Sequence, residues 1–190
     1  IHIKAPDCYH CPFNKSRDNC ECECFKYAKD SFKRHASESC AILVEPLLQG
    51  SAGMRIYPPL YLKKLRELCD EYDVHLIADE IATGFYRTGK MFASNHANIS
   101  PDIMCLSKGL TGGYMPFALV ITTNKIYSAF YDDYIKHKAF MHSHTYSGNP
   151  LGAACALAVL DILETGEIQK HLREVTPYFN SLIKENFLNL

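Results

Sequence analysis

Apolar positions along the chain fall into two kinds of run. Short, nearly uninterrupted runs occur at residues 40–44 (CAILV), 74–78 (VHLIA), 103–107 (IMCLS) and 117–122 (FALVIT). Each has strand length, and a continuous apolar run marks a strand buried on both faces. Between them the period lengthens. Residues 25–36 place Phe25, Ala28, Phe32 and Ala36 on one helical face. Pro58-Pro59 opens a predicted helix to residue 72, with Leu60, Leu65, Leu68 and Cys69 inward, since proline is tolerated in a first helical turn. A short helix is predicted over 124–131, and an Ala- and Leu-rich helix, buried on much of its circumference, over 150–164. After a break at Thr165-Gly166, an amphipathic helix kinked at Pro177 is predicted over 167–190. Residues 1–24 show no period, and 49–53 read as a turn. Strands alternating with helices predict an α/β fold, a mostly parallel sheet with flanking helices. Three parts are expected: a Cys-rich arm and helix (1–38), the sheet-bearing core (39–164) and a helix leading out of it (165–190).

Composition narrows the partners. The 190 residues are 47% hydrophobic and 22% charged, an ordinary globular balance that excludes disordered and low-complexity classes. Lys and Arg number 20 against 21 Asp and Glu, so no basic surplus exists to neutralise phosphates and nucleic-acid binding is not expected. No apolar run approaches a bilayer span, and no basic, apolar leader is recognisable, so a soluble, cytoplasmic protein without membrane association is expected. The chain starts at Ile1, from which a piece of a longer polypeptide is expected.

The nine cysteines are odd in number, which fits poorly with a complete set of internal disulfides and favours a reducing compartment. Cys40, Cys69, Cys105 and Cys155 sit in apolar segments as small hydrophobes. Cys8, Cys11, Cys20, Cys22 and Cys24 crowd into the arm beside His10, and thiolates at that density can complete a tetrahedral zinc site. A zinc-binding interaction module is therefore the non-enzyme alternative. The tight Cys20-x-Cys22-x-Cys24 spacing argues for reduced, partly buried thiols instead, and no metal site is expected.

Candidate chemistry gathers at strand ends. In a parallel sheet, ligands bind beyond the carboxyl ends of the strands. Asp79 directly follows one apolar run and Lys108 another. The 142–150 loop (HSHTYSGNP) carries hydroxyls and backbone N–H groups suited to an anionic group. An acid, an amine and a phosphate cradle are together what pyridoxal 5'-phosphate requires: an imine partner, a carboxylate at the ring nitrogen and phosphate donors. Singly, each also has an ordinary reading as a turn residue, a solvated lysine or a plain loop. Residues 84–90 match the spacing of a P-loop, but Met91 stands where a magnesium-binding Ser or Thr belongs, which excludes that reading. His142 and His144 alternate, but no third metal ligand is evident nearby.

The residues that settle the choice are Val44-Glu45-Pro46 with Gln49-Gly50, the run from Leu76 through Asp79-Glu80-Ile81-Ala82-Thr83-Gly84-Phe85 to Arg87-Thr88-Gly89, then Pro101-Asp102-Ile103, Leu106-Ser107-Lys108-Gly109, and Thr145 with Gly148-Asn149-Pro150-Leu151. From about residue 42 to 163 the chain resembles the class III, pyridoxal-phosphate-dependent aminotransferases of fold type I. The resemblance implies part of the large domain of that fold. By it, Lys108 is the Schiff-base lysine and Asp79 the partner of the pyridine nitrogen. Ile81 is the residue packed on the ring face, and Thr145, preceded by Ser143 and His144, binds phosphate from the neighbouring subunit. It further implies an obligate homodimer with shared active sites and ping-pong transamination of small-molecule substrates; Glu45 lies in a motif near the site and is assigned no catalytic role. Ala82, Gly53-Met54-Arg55 and Thr111-Gly112-Gly113 narrow it to the branch that uses S-adenosylmethionine as amino donor in biotin synthesis. An ω-amino acid:pyruvate transaminase is the enzyme alternative. Tyr86 departs from the family, where many relatives carry Gly. The family's other phosphate contact, its ring-stacking aromatic residue and its carboxylate-binding arginine have no counterpart here, so the piece alone is expected to be inactive.

Overall fold

The computed structural model describes residues 1–16 and 19–188. Its elements follow the predicted alternation: α1 (Lys26–His35), β1 (Ala41–Val44), the short β2 (Leu48–Gln49) and β3 (Arg55–Ile56), α2 (Pro59–Tyr72), β4 (His75–Asp79), β5 (Ile103–Leu106), β6 (Leu119–Thr122), α3 (Asn124–Phe130), α4 (Pro150–Glu164) and α5 (Glu167–Phe187). One sheet has the order β1-β4-β5-β6. Its first three strands are parallel, with Val44 opposite Ala78 and Asp79 opposite Cys105, and β6 runs antiparallel to β5. The sheet is thus mostly parallel, as predicted. The pair β2 and β3 forms a separate antiparallel ribbon.

Helix α2 forms where its sequence directs. Pro59 occupies the first turn, where the missing N–H is no loss, and Asp73 ends the helix in the left-handed region at φ 52°. Phe32 and Ala28 of α1 pack with Leu62, Leu65 and Leu68 of α2 and Leu76 of β4 in one buried cluster. Phe25 and Tyr57 each meet Tyr61 edge-on, at 5.2 and 5.4 Å between ring centres. Burying each large side chain of this kind contributes about 1.5–3 kcal/mol, so the α1–α2–β4 cluster carries much of the stability.

Several expectations about burial need correction. Leu60 is 39% exposed, and Tyr61 and Leu62 face the core instead, because the buried stripe of α2 runs through 61, 62, 65, 68 and 69. The β1 run is not buried on both faces: Leu43 is 63% exposed. Every residue of β6 is exposed. Helix α4 buries only Gly152 and Ala156, and α5 buries none of its described residues. Cys40 is exposed and is not a small core residue. The predicted end of the last helix, at 189–190, lies outside the described residues.

A charged contact fastens this layer to the sheet. Arg66 of α2 donates through Nη1 to Asp102 Oδ2 at 2.7 Å, and the same oxygen accepts Leu76 N–H of β4 at 2.8 Å. Asp102 N–H in turn donates to Leu76 O at 2.9 Å. Burial opposes ionisation of Asp102, but Arg66 and the Leu76 amide outweigh it and hold the carboxyl below its ordinary range. A depressed carboxyl contributes stability that is complete above the ordinary carboxylate range and is lost as pH falls through its folded value. Asp102→Asn in the intact protein should therefore cost about 1–3 kcal/mol near neutrality. In thermal melts the gap between variant and wild type should narrow at acidic pH.

Candidate active site

The site is built where β4 and β5 end side by side. Parallel pairing sends both carboxyl ends to one edge, and the register sets Asp79 opposite Cys105, three residues before Lys108. A cleft of about 490 Å³ opens there, lined by Asp79, Ile81, Ala82 and Lys108, with Glu45 and Arg87 among its other walls. Three of the six residues expected to hold the cofactor thus share one cavity.

Each is fixed by local structure. Asp79 Oδ1 accepts Ile81 N–H at 3.0 Å, a turn that orients both side chains. Cys105 lies beside it: burial, reinforced by the Asp79 charge, pushes that thiol up. Lys108 sits in the left-handed region at φ 47°, opening the short helical turn Lys108–Thr111. That turn is anchored from behind. Ser107 Oγ donates to Phe117 O at 2.8 Å and Thr111 Oγ1 to Met115 O at 2.7 Å, while Leu110 and Thr111 are buried. Gly109 is required next to the lysine, since a Cβ there would stand 2.8 Å from Phe85 Cβ.

The loop between the strands follows from the same constraints. Glu80, adjacent to Asp79, is 0% exposed. Its Oε1 accepts Ser94 N–H at 2.8 Å and Ser94 Oγ at 2.7 Å; its Oε2 accepts Thr83 Oγ1 at 2.6 Å and Ala93 N–H at 3.0 Å. Sequence reasoning gave Glu80 no role beyond its place in a motif. The signal was present: strand alternation turns a residue next to Asp79 inward, and a carboxylate sent inward needs donors such as Thr83 and Ser94. Phe85 and Tyr86 both take left-handed φ, 57° and 65°. Phe85 N–H donates to Met91 O at 2.7 Å and Tyr86 N–H to the same oxygen at 3.4 Å. These amides are committed within the loop, which agrees with the exclusion of a phosphate-cradling P-loop. Tyr86 OH accepts Gln169 Nε2 at 2.6 Å, tying the loop to α5. Glu45 is likewise committed: its carboxylate accepts Gly50 N–H at 2.9 Å and Ser51 Oγ at 3.4 Å, and its carbonyl accepts Tyr57 OH at 2.7 Å.

Ser143, His144 and Thr145 do not line the cleft. They lie in an exposed turn before α4, where His144 N–H donates to Ser147 Oγ at 3.1 Å and Tyr146 N–H to His144 Nδ1 at 3.2 Å. β6 runs antiparallel to β5, from Leu119 opposite Leu106 to Thr122 opposite Ile103, and α3 and an exposed stretch separate it from this turn; the chain is back beside the Lys108 turn by Gly152, which lies against the Phe117 ring.

The arm cysteines pack against the core. Cys22 is 2% exposed, and Cys8, Cys20 and Cys24 lie partly buried against the same cluster. Burial and then neighbouring thiols push Cys22 up to about 12 and Cys24 up to about 11. Among the described residues no group of three or more His, Cys, Asp or Glu side chains is arranged to hold a metal ion.

An amine and a carboxylate thus share one cleft at the carboxyl edge of the parallel strands, joined by a glycine-punctuated loop. The profile of the class-III aminotransferases matches residues 1–186, and the chain belongs to that family. Among its relatives, the adenosylmethionine-8-amino-7-oxononanoate aminotransferase of Geobacter sulfurreducens is 47% identical over 169 residues, covering 88% of this chain and 37% of the relative. The crystal structure of the enzyme of that name from Methanocaldococcus jannaschii superposes with a TM-score of 0.82 at 39% identity, over 87% of this chain and 39% of that one. An amine transaminase from an uncultivated Pseudomonas species, solved with pyridoxal phosphate bound, superposes with a TM-score of 0.82 at 34% identity, over 93% and 40%. The chain spans 30% to 42% of the length of the curated relatives it matches.

The Gly109–Phe85 contact supplies a test of the site's packing. Gly109→Ala in the intact protein should cost about 1–3 kcal/mol by overpacking and lower the yield of lysine labelled by pyridoxal phosphate and borohydride. Melting temperature and peptide mapping read the two effects.

Proposed function

We propose that the chain is part of a pyridoxal-phosphate-dependent transaminase that moves an amino group from S-adenosylmethionine to 8-amino-7-oxononanoate, giving 7,8-diaminononanoate for biotin synthesis. The observation that carries this is the shared cleft of Lys108 and Asp79. The donor set fits the cofactor in three respects: an amine to hold its aldehyde carbon, a carboxylate for its ring nitrogen, and the apolar Ile81 for its ring face. Asp79 has Oδ1 taken by Ile81 N–H, and Oδ2 has no protein donor among the described residues. The cleft lacks phosphate donors from the 143–145 turn. That agrees with the reading in which Thr145, Ser143 and His144 of a second copy complete each site in a homodimer.

When bound, pyridoxal 5'-phosphate supplies an electrophilic carbon and a protonated ring that takes up the electron pair released at the substrate carbon. The protein's residues do the rest. Lys108 Nζ would hold the group at its aldehyde carbon and, once freed from it, would move a proton at the substrate carbon as general base and acid. Asp79 would hold the ring nitrogen through its carboxylate. Ile81 holds the ring plane. The named relatives support adenosylmethionine and 8-amino-7-oxononanoate as substrates over the ω-amino acid:pyruvate pair.

In the intact protein, Lys108→Ala should leave a folded chain with no turnover. Asp79→Ala should cost about 3–5 kcal/mol, read as a fall of about two to four orders of magnitude in kcat. Assays with adenosylmethionine, lysine and an ω-amino acid as donors decide the substrate: diamine formed from adenosylmethionine alone is expected, and preference for pyruvate as acceptor overturns the assignment. Shared sites give a further outcome. Lys108→Ala and Thr145→Ala proteins, each inactive alone, should regain about one quarter of wild-type activity when refolded together, because half the dimers are mixed and each carries one intact site.

A further inference from the structure

We propose that Glu80 is a positioning residue for this reaction, a buried anionic peg that sets Asp79 and Ile81 at the cofactor ring. The inference rests on the transaminase reading above. Asp79 and Ile81 line the cleft, whereas Glu80 between them does not; its side chain is wholly buried behind the loop. A desolvated carboxylate is costly and is usually no better for stability than an apolar residue of the same volume. Its presence therefore calls for a role that an apolar residue would not fill.

The hydrogen bonding identifies that role. Each carboxylate oxygen accepts one backbone N–H, Ser94 on Oε1 and Ala93 on Oε2. Backbone N–H groups cannot turn into acceptors as hydroxyls can. A glutamine would set its NH₂ against one of them in either orientation, and an aspartate is one methylene too short. Only a glutamate meets both. The backbone of the same residue is clamped as well: Glu80 N–H donates to Cys105 O of β5 at 3.0 Å, and Glu80 O accepts Gly84 N–H at 2.9 Å. A Cβ on Gly84 would lie 2.9 Å from that carbonyl oxygen, so the loop has no slack on this side. Residue 80 is thus pinned to the strand that leads to Lys108 and to the 93–94 backbone behind it. The separation of the Asp79 carboxylate from the Lys108 amine is inherited from that anchorage.

The test uses the full-length protein loaded with pyridoxal phosphate. Glu80→Gln should keep its circular dichroism spectrum and still yield borohydride-fixed cofactor on Lys108. Its kcat, per equivalent of fixed cofactor, should fall about ten- to a hundredfold, the size expected of a small misplacement of reacting groups. The pH midpoint of the visible absorbance of the loaded protein should also move, because it reads the proton held at Lys108 Nζ once the cofactor is fixed there, and the Asp79 charge at the far side of the ring tunes that proton. A merely structural role would lower the melting temperature and leave kcat per fixed cofactor and the midpoint unchanged; that result overturns the inference. Should Glu80→Gln fail to fold, Thr83→Val, which removes one hydroxyl donor at constant size, takes its place, with a smaller shift in the same two readouts expected and their constancy decisive against. Failure of wild-type protein to fix cofactor on Lys108 is a different outcome, which overturns the transaminase reading and this inference with it.

Discussion

The parallel pairing of β4 with β5 is the constraint on which the rest of the site depends. It sends two strand ends out of one edge of the sheet with Asp79 opposite Cys105, so that the Asp79 carboxylate and the Lys108 amine, three residues past Cys105, face one cleft. A slip of one residue along a strand turns every side chain to the opposite face. Here such a slip would exchange Asp79 for Glu80, a substitution invisible to composition. The two carboxylates are chemically alike and differ only in what meets them: one backbone N–H and the open cleft for Asp79, four protein donors for Glu80. Register is therefore specified by the mismatch between these two environments as much as by the apolar residues of the strands.

The apolar surface left open has a pattern. It runs along β6, α4 and α5, whereas the α1–α2–β4 cluster is closed. A chain corresponding to less than half of its relatives fits that distribution. The cleft is divided in the same sense: its amine and acid sides are furnished from within the chain, while the 143–145 turn points elsewhere.

Sequence patterning made the four strands and five helices legible because their signals are local. Apolar runs at 40–44, 74–78, 103–107 and 117–122 each became a strand within a residue or two. What patterning could not supply was anything set by distant neighbours. An apolar run reads the same whether its second face is covered or open, so the exposure of Leu43 and of β6 was not foreseeable from β1 and β6 alone. The pattern alone places Leu60 inward, whereas the packing of Tyr61 on Phe25 and Tyr57 turns it towards solvent. Asp79 and Lys108 were legible from their places at strand ends and from family resemblance. Glu80 was not, since its donors Ala93 and Ser94 lie 13 and 14 residues away across an irregular loop.

Phe85 and Tyr86 carry a consequence for heat tolerance. Two successive residues with side chains occupy left-handed backbone, at a cost of order 1–3 kcal/mol each. What holds them is a shared carbonyl at Met91 and the phenol anchored by Gln169. Glycine at 86 would discharge that tension but cut the loop loose from α5. Thermal endurance and order at the rim of the cleft therefore pull against each other at this one position, and an engineer seeking a hardier catalyst meets the conflict there before reaching the core.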